Sequence, residues 1–207
     1  MDKHHRQLTH VPILHSRADM GTLQERFEAA YVEQFGRRRW EEHVALTDRF
    51  WHVIRVELDG LHLNYRRVNL YQDGLPVCGK ELEIVEETAA KGSENHRLLM
   101  ELVARGATLI GTEDPNLLLE EYRAVKAGLA ARPDRHPSAG NVGGPASSEE
   151  ILARRDAYIG RQIAETLLPG RTGILFLGMM HRVQLYLPAD ILIVRLHLDV
   201  AASEDTA

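Results

Sequence analysis

Side chains that bind metals or transfer protons follow four of the short apolar segments in this sequence. Imidazole and carboxylate groups are common ligands of divalent metals, and they also activate water near neutral pH. If the segments are parallel strands of one sheet, their carboxyl ends meet at the edge where ligands bind in such sheets. The side chains concerned are His15, Asp19, Asp73, Glu113, Asp114 and His181.

We therefore expect a single crevice at this edge. In it, His15, Glu113 and His181 either bind a divalent metal or activate water directly. The three aspartates are candidates for additional metal ligands or for hydrogen-bond acceptors around the ligands; they are Asp19, Asp73 and Asp114. For each aspartate the alternative is turn chemistry, because Asp caps helices and stabilises tight turns.

The most informative motif is Gly-Met-Met-His, which ends at His181 and follows the apolar segment 173–178. A glycine at the end of a strand lets the backbone approach a ligand or a helix closely. Arg155 lies on the preceding predicted helix, where its guanidinium could clamp a substrate carboxylate, stabilise an oxyanion or orient a catalytic acid. A solvated helix face is the alternative for Arg155.

Over residues 155–181, this arrangement of an arginine-bearing helix and a strand ending in Gly-x-x-His resembles the TraB/Tiki/ChaN/erythromycin-esterase-like superfamily. The resemblance implies functional roles for His181 and Arg155. Because several members are metal-dependent or acid–base hydrolases, it implies hydrolysis. Its haem-binding members imply the alternative, a non-catalytic protein that binds a metal, haem or a small metabolite.

Members of that superfamily also carry a Gly-x-x-His or Gly-Glu-x-His element after the first strand. In this sequence His15 has no glycine three residues before it. The segment from Gly111 to Asp114 has a Gly-x-x-acid spacing and could supply the carboxylate instead, although it comes later in the chain.

Composition excludes several classes of protein. The chain has 207 residues and a formal charge of -5, which lacks the basic field that nucleic-acid binding requires. A single cysteine, Cys78, permits neither an internal disulfide nor a thiolate cage, and no segment approaches the ~20 apolar residues of a membrane span. We expect a cytoplasmic protein that acts on a small-molecule or peptide substrate and binds neither nucleic acid nor membranes.

The elements that position these residues alternate along the chain. Strand patterns occur at 10–15, 68–71, 107–110, 173–178 and 191–194, with the fourth apolar on both faces as a central strand is. Helical patterns separate them, including an interruption at 91–94 where Ser93 can cap a new helix. The sequence predicts one α/β domain over residues 1–207, with a mainly parallel sheet of about five strands flanked by helices.

Three further expectations concern segments away from the predicted crevice. The Pro-, Gly- and Ser-rich residues 131–148 predict a flexible loop, and residues from about 201 predict a disordered tail. Apolar residues cover a wide arc of the helix at 40–58, which indicates an interface on more than one side. We therefore predict a homodimer through this helix, with Trp51 in the contact, and an oligomeric structural protein is the third interpretation.

Overall fold

The computed structural model describes residues 6–13, 24–130 and 148–198. Five parallel strands form one sheet in the order β3-β2-β4-β1-β5. The strands are β1 (Arg6–Ile13), β2 (Val68–Gln72), β3 (Thr108–Ile110), β4 (Thr172–Gly178) and β5 (Ile191–Arg195). The prediction of a single-domain α/β fold with a parallel sheet of about five strands is confirmed.

Six helices accompany the strands in the described ranges. They are α1 (Gln24–Phe35), α2 (Arg37–Gly60), α3 (Glu81–Ala90), α4 (Glu94–Ala104), α5 (Pro115–Ala130) and α6 (Ser148–Thr166). The predicted break between α3 and α4 is confirmed, since the Ser93 hydroxyl accepts a hydrogen bond from the His96 N–H at 3.2 Å. The first strand begins earlier than predicted, because Arg6 already pairs with β5 and Gln7 to His10 pair with both β4 and β5.

Helices cover both faces of the sheet. Against one face α2, α3 and α4 pack their apolar side chains, and β4 contributes Phe176 to this core. On the other face α6 packs Ile159 and Ile163, and β4 contributes Leu175. The central position predicted for β4 is therefore confirmed, with alternate side chains buried in the two cores.

The predicted role of Trp51 in a dimer contact is wrong. Its side chain is 1% exposed and lies in the core beneath α2, together with Ile54 and Leu58 of the same helix. On a neighbouring side of α2, Trp40 contacts Tyr31 of α1, with ring centroids 5.4 Å apart. The wide apolar arc of α2 is therefore covered largely by its own chain, while the homodimer itself stays a prediction.

Several predictions fall outside the described residues. His15, Asp19, residues 131–147 of the predicted loop and the predicted tail from about 201 all belong to this part of the chain. The expected approach of His15 to His181 stays a prediction for the same reason. Within the described ranges, no helix combines the length and apolarity needed to cross a membrane.

Candidate active site

A buried guanidinium organises the carboxyl edge of the sheet. Arg155 of α6 donates from Nε to Glu113 Oε2 and from Nη2 to Glu113 Oε1, both at 2.6 Å. Its Nη2 also donates to Asp73 Oδ1 at 2.7 Å. The side chain of Arg155 is only 6% exposed and that of Glu113 is fully buried. The sheet therefore brings Asp73 and Glu113 together as predicted, around a charge that comes from a helix.

A third carboxylate completes the surroundings of this guanidinium. Glu121 of α5 accepts from Arg155 Nη1 with both oxygens, at 2.8 and 2.7 Å. Unlike Glu113, the Glu121 side chain is 37% exposed. Every guanidinium nitrogen of Arg155 consequently has a carboxylate partner, so Arg155 links three acidic side chains.

Backbone N–H groups hold the two buried carboxylates at the strand ends. Gly74, just after β2, donates to Glu113 Oε1 at 2.7 Å, and Gly178 at the end of β4 donates to Asp73 Oδ2 at 3.0 Å. Burial raises the pKa of Glu113, and this effect exceeds the opposing influence of Arg155. The two carboxylates thus join the carboxyl ends of β2, β3 and β4.

The segment from Gly111 to Asp114 has two structural roles. A Cβ on Gly111 would lie 2.8 Å from the Cα of Val77, so only glycine permits this close approach just before Glu113. Asp114 accepts a hydrogen bond from the Asn116 N–H at 2.8 Å, at the start of α5. Asp114 therefore has the helix-capping role that turn chemistry predicts, while Glu113 is the member of this segment that binds Arg155.

His181 lies between two aspartates at the same edge. Its Nδ1 donates to Asp156 Oδ1 at 2.6 Å, and its Nε2 is 3.5 Å from Asp73 Oδ2. The Arg182 N–H donates to the other oxygen of Asp156 at 2.7 Å. Burial lowers the pKa of His181, but the hydrogen bond that the ring donates to Asp156 and the nearby Asp73 carboxylate outweigh this effect and raise the pKa to about 9. The imidazole is therefore protonated near neutral pH.

Two members of this network, Asp156 and Glu121, were not among the predicted site residues. Asp156 follows Arg155 on α6, and both lie in the stripe of α6 that also buries Ile159 and Ile163. Charged side chains at these positions of an apolar helical stripe are a signal that sequence reasoning can use, because Asp and Arg are rarely buried without partners. Glu121 carries no comparable signal.

These groups adjoin an open crevice of about 620 Å³. Its described lining comprises Ile13, Asp73, Gly74, Leu118, Glu121, Ser148, Glu149, Leu152, Arg155, Gly178, Met179, Met180 and His181. The crevice lies beyond the carboxyl ends of the strands, as expected for a ligand site of a parallel sheet. Glu113 is not part of this lining and supports Arg155 from the protein side.

The described donor set does not fit a metal ion. In this part of the chain, no three histidine, cysteine, aspartate or glutamate side chains are placed to hold one. Both oxygens of Glu113 accept from Arg155, and the oxygens of Asp73 accept from Arg155 and from the Gly178 N–H. The geometry of the described residues instead suits acid–base chemistry, in which a protonated imidazole and a carboxylate face each other.

Comparison with protein-family models, curated proteins and solved structures finds no match for this chain. The resemblance to the TraB/Tiki/ChaN/erythromycin-esterase-like superfamily therefore stays a prediction that depends on residues 155–181.

Proposed function

We propose that this protein is a hydrolase in which His181 acts as the general acid and Asp73 as the general base for water. The observation that carries the proposal is the row of Asp156, His181 and Asp73, in which His181 and Asp73 line the crevice and Asp156 binds His181 from behind. An oriented imidazole next to a carboxylate, both beside a cavity of suitable size, is the arrangement that acid–base hydrolysis requires.

The geometry of His181 supports its role as the acid. Asp156 accepts from Nδ1 at 2.6 Å and so fixes the ring, which turns Nε2 toward Asp73. The 3.5 Å separation between Nε2 and Asp73 Oδ2 is longer than an ordinary hydrogen bond. The Nε2 proton therefore interacts only weakly with Asp73, and it can be donated to a leaving group.

Asp73 is held in the position of a base. Arg155 binds its Oδ1, while Oδ2 accepts from Gly178 and faces His181. In the proposed reaction, a water oxygen attacks the carbonyl carbon of an ester or amide and its proton passes to Asp73 Oδ2. His181 Nε2 then protonates the leaving oxygen or nitrogen as its bond to carbon breaks. Proton transfer from Asp73 to His181 restores both groups.

Arg155 acts in this scheme as a positioning residue. Its guanidinium is bound by Asp73, Glu113 and Glu121, so it holds the base in place, a role that differs from the substrate clamp expected from the sequence. Neutralisation by Arg155 also keeps the buried carboxylates compatible with the protein interior.

The test is hydrolysis of p-nitrophenyl esters and anilides of increasing acyl length. His181→Asn and Asp73→Asn should each lower kcat/KM about 100-fold or more, the loss typical of removing an acid or base. His52→Asn serves as the matched control, because it removes an exposed imidazole of α2 that does not line the crevice. His181→Asn with full activity would contradict the proposal.

Metal dependence is tested on the same preparation. We expect the activity to survive dialysis against a chelator, with no stoichiometric metal or haem in the purified protein. If the chelator abolishes the activity and a divalent ion restores it, the metal-free mechanism is contradicted and a metal-dependent hydrolase is supported. A bound metal or haem without turnover would support the non-catalytic alternative.

A further inference from the structure

We infer that the substrate of this crevice is an organic cation whose positive charge is carried on an apolar body. This inference rests on the proposed function, because it assigns a substrate class to the same site. It depends on three features of the described wall: its charge, the exposure of its charged groups and its apolar lining.

The charge of the network is unbalanced. Asp73, Glu121 and Asp156 surround Arg155 and His181, so the acidic side chains outnumber the cationic ones even when the fully buried Glu113 is left aside. An excess negative charge beside a cavity with low-dielectric walls attracts a cation more strongly than the same charge does in water.

The charged side chains that are exposed in the crevice are also negative. Among the described residues that line the crevice, the cationic side chains are those of Arg155 and His181, only 6% and 4% exposed. The Glu121 side chain is 37% exposed, and Glu149 is an exposed residue of the lining. A ligand that enters along the described lining therefore meets the carboxylates of Glu149 and of Glu121, which also binds Arg155, before it reaches a cationic side chain.

The remaining wall is apolar and adaptable. Ile13, Leu118 and Leu152 line the crevice, together with Met179 and Met180, which are 62% and 77% exposed. Unbranched methionine side chains adapt to ligands of different shape. A volume of about 620 Å³ is in the range of cavities that hold small organic molecules. Such a wall binds an aliphatic or aromatic group, while Glu121 and Glu149 bind the cationic group.

The inference is tested with two esters of the same shape and different charge, butyrylcholine and 3,3-dimethylbutyl butyrate. Binding is followed by NMR of ¹³C-labelled methionine methyl groups, with the Met179 and Met180 signals assigned from their leucine variants. We expect both signals to shift with butyrylcholine at a Kd about tenfold lower than with the neutral ester. The ratio should decrease as the salt concentration rises.

Charge-removing variants test the assignment of the carboxylates. Glu149→Gln should reduce the preference for the cation about threefold. Glu87→Gln removes the same charge from an exposed position of α3, on the other face of the sheet, and should not change the preference. Equal binding of both esters, tighter binding of butyrate than of either ester, or the absence of shifts at Met179 and Met180 would overturn the inference.

Turnover of the two esters separates this inference from the proposed function. Selective binding of butyrylcholine without hydrolysis would leave the ligand class in place and contradict the hydrolase. Hydrolysis of both esters with equal kcat/KM would leave the hydrolase in place and contradict the ligand class.

Discussion

The His181 imidazole donates to the Asp156 carboxylate at 2.6 Å, and both side chains are 4% exposed. One residue belongs to the turn after β4 and the other to α6, so this pair joins a helix to the carboxyl edge of the sheet. Because a charge-assisted hydrogen bond between buried groups is stronger than one in water, the pair fixes both the protonation state and the orientation of the ring.

This pair predicts a pH dependence of stability. The folded protein raises the pKa of His181 from 6.5 to about 9, so the stabilisation is complete below pH 6.5 and is lost as pH rises through 9. For this buried group, the free energy of unfolding should decrease by about 3 kcal/mol over that interval. Urea denaturation at several pH values measures it. His181→Asn should remove this component, and an unchanged dependence in the variant would refute the assignment.

Activity should depend on the same proton. If His181 is the general acid, kcat/KM decreases about tenfold per pH unit above its pKa of about 9. Asp156→Asn should move this alkaline limb to lower pH, because the hydrogen bond that His181 donates to the Asp156 carboxylate is one of the interactions that raise the pKa of His181. Steady-state kinetics across pH 6 to 11 provide the profile. If the alkaline limb of kcat/KM does not move in Asp156→Asn, a group other than His181 causes it.

Removing the charge of Arg155 should destabilise the protein strongly. Arg155→Met leaves Glu113 and Asp73 buried without their cation, and such a loss typically costs about 3–5 kcal/mol. Glu113→Gln in the same chain should restore part of that stability, since one of the unpaired charges is then gone. Chemical denaturation of the single and double variants measures the coupling. A double variant no more stable than Arg155→Met would argue against a direct interaction.

The burial of Trp51 predicts an effect on folding. Trp51→Ala should lower the free energy of unfolding by about 3–5 kcal/mol, because it opens a cavity in the core beneath α2. Val56 on the same helix is 55% exposed, and Val56→Ala should change stability by less than about 0.5 kcal/mol. Denaturation measures both, and sedimentation shows whether the association state changes. An unchanged free energy of unfolding in Trp51→Ala would contradict the burial of this side chain in the core of its own chain.

The strand order explains why part of the site could be predicted. Parallel strands deliver the residues that follow them to one edge, so Asp73, Glu113 and His181 could be placed together from short apolar segments alone. Asp156 and Glu121 could not be placed in this way. Their positions depend on the rotation of α6 and α5 about their own axes, which is set by packing.

The same limit applies to the helix α2. A wide arc of apolar side chains shows that α2 is covered on more than one side, and the structure confirms this for Trp40 and Trp51. The pattern does not distinguish cover from the same chain from cover by a second copy, because apolar surface carries no directional information.

The carboxylates that Arg155 binds also help to select one pairing register of β2 and β4 during folding. Asp73 takes its hydrogen bonds from α6 and from the backbone of Gly178, and β2 pairs with β4 from Val68↔Thr172 to Gln72↔Phe176. A slip of β4 by one residue would move Gly178 away from Asp73 and reverse the faces of the strand. The mispaired chain would then bury carboxylates without their donors, so the charges that serve the site also discriminate against wrong strand pairings during folding.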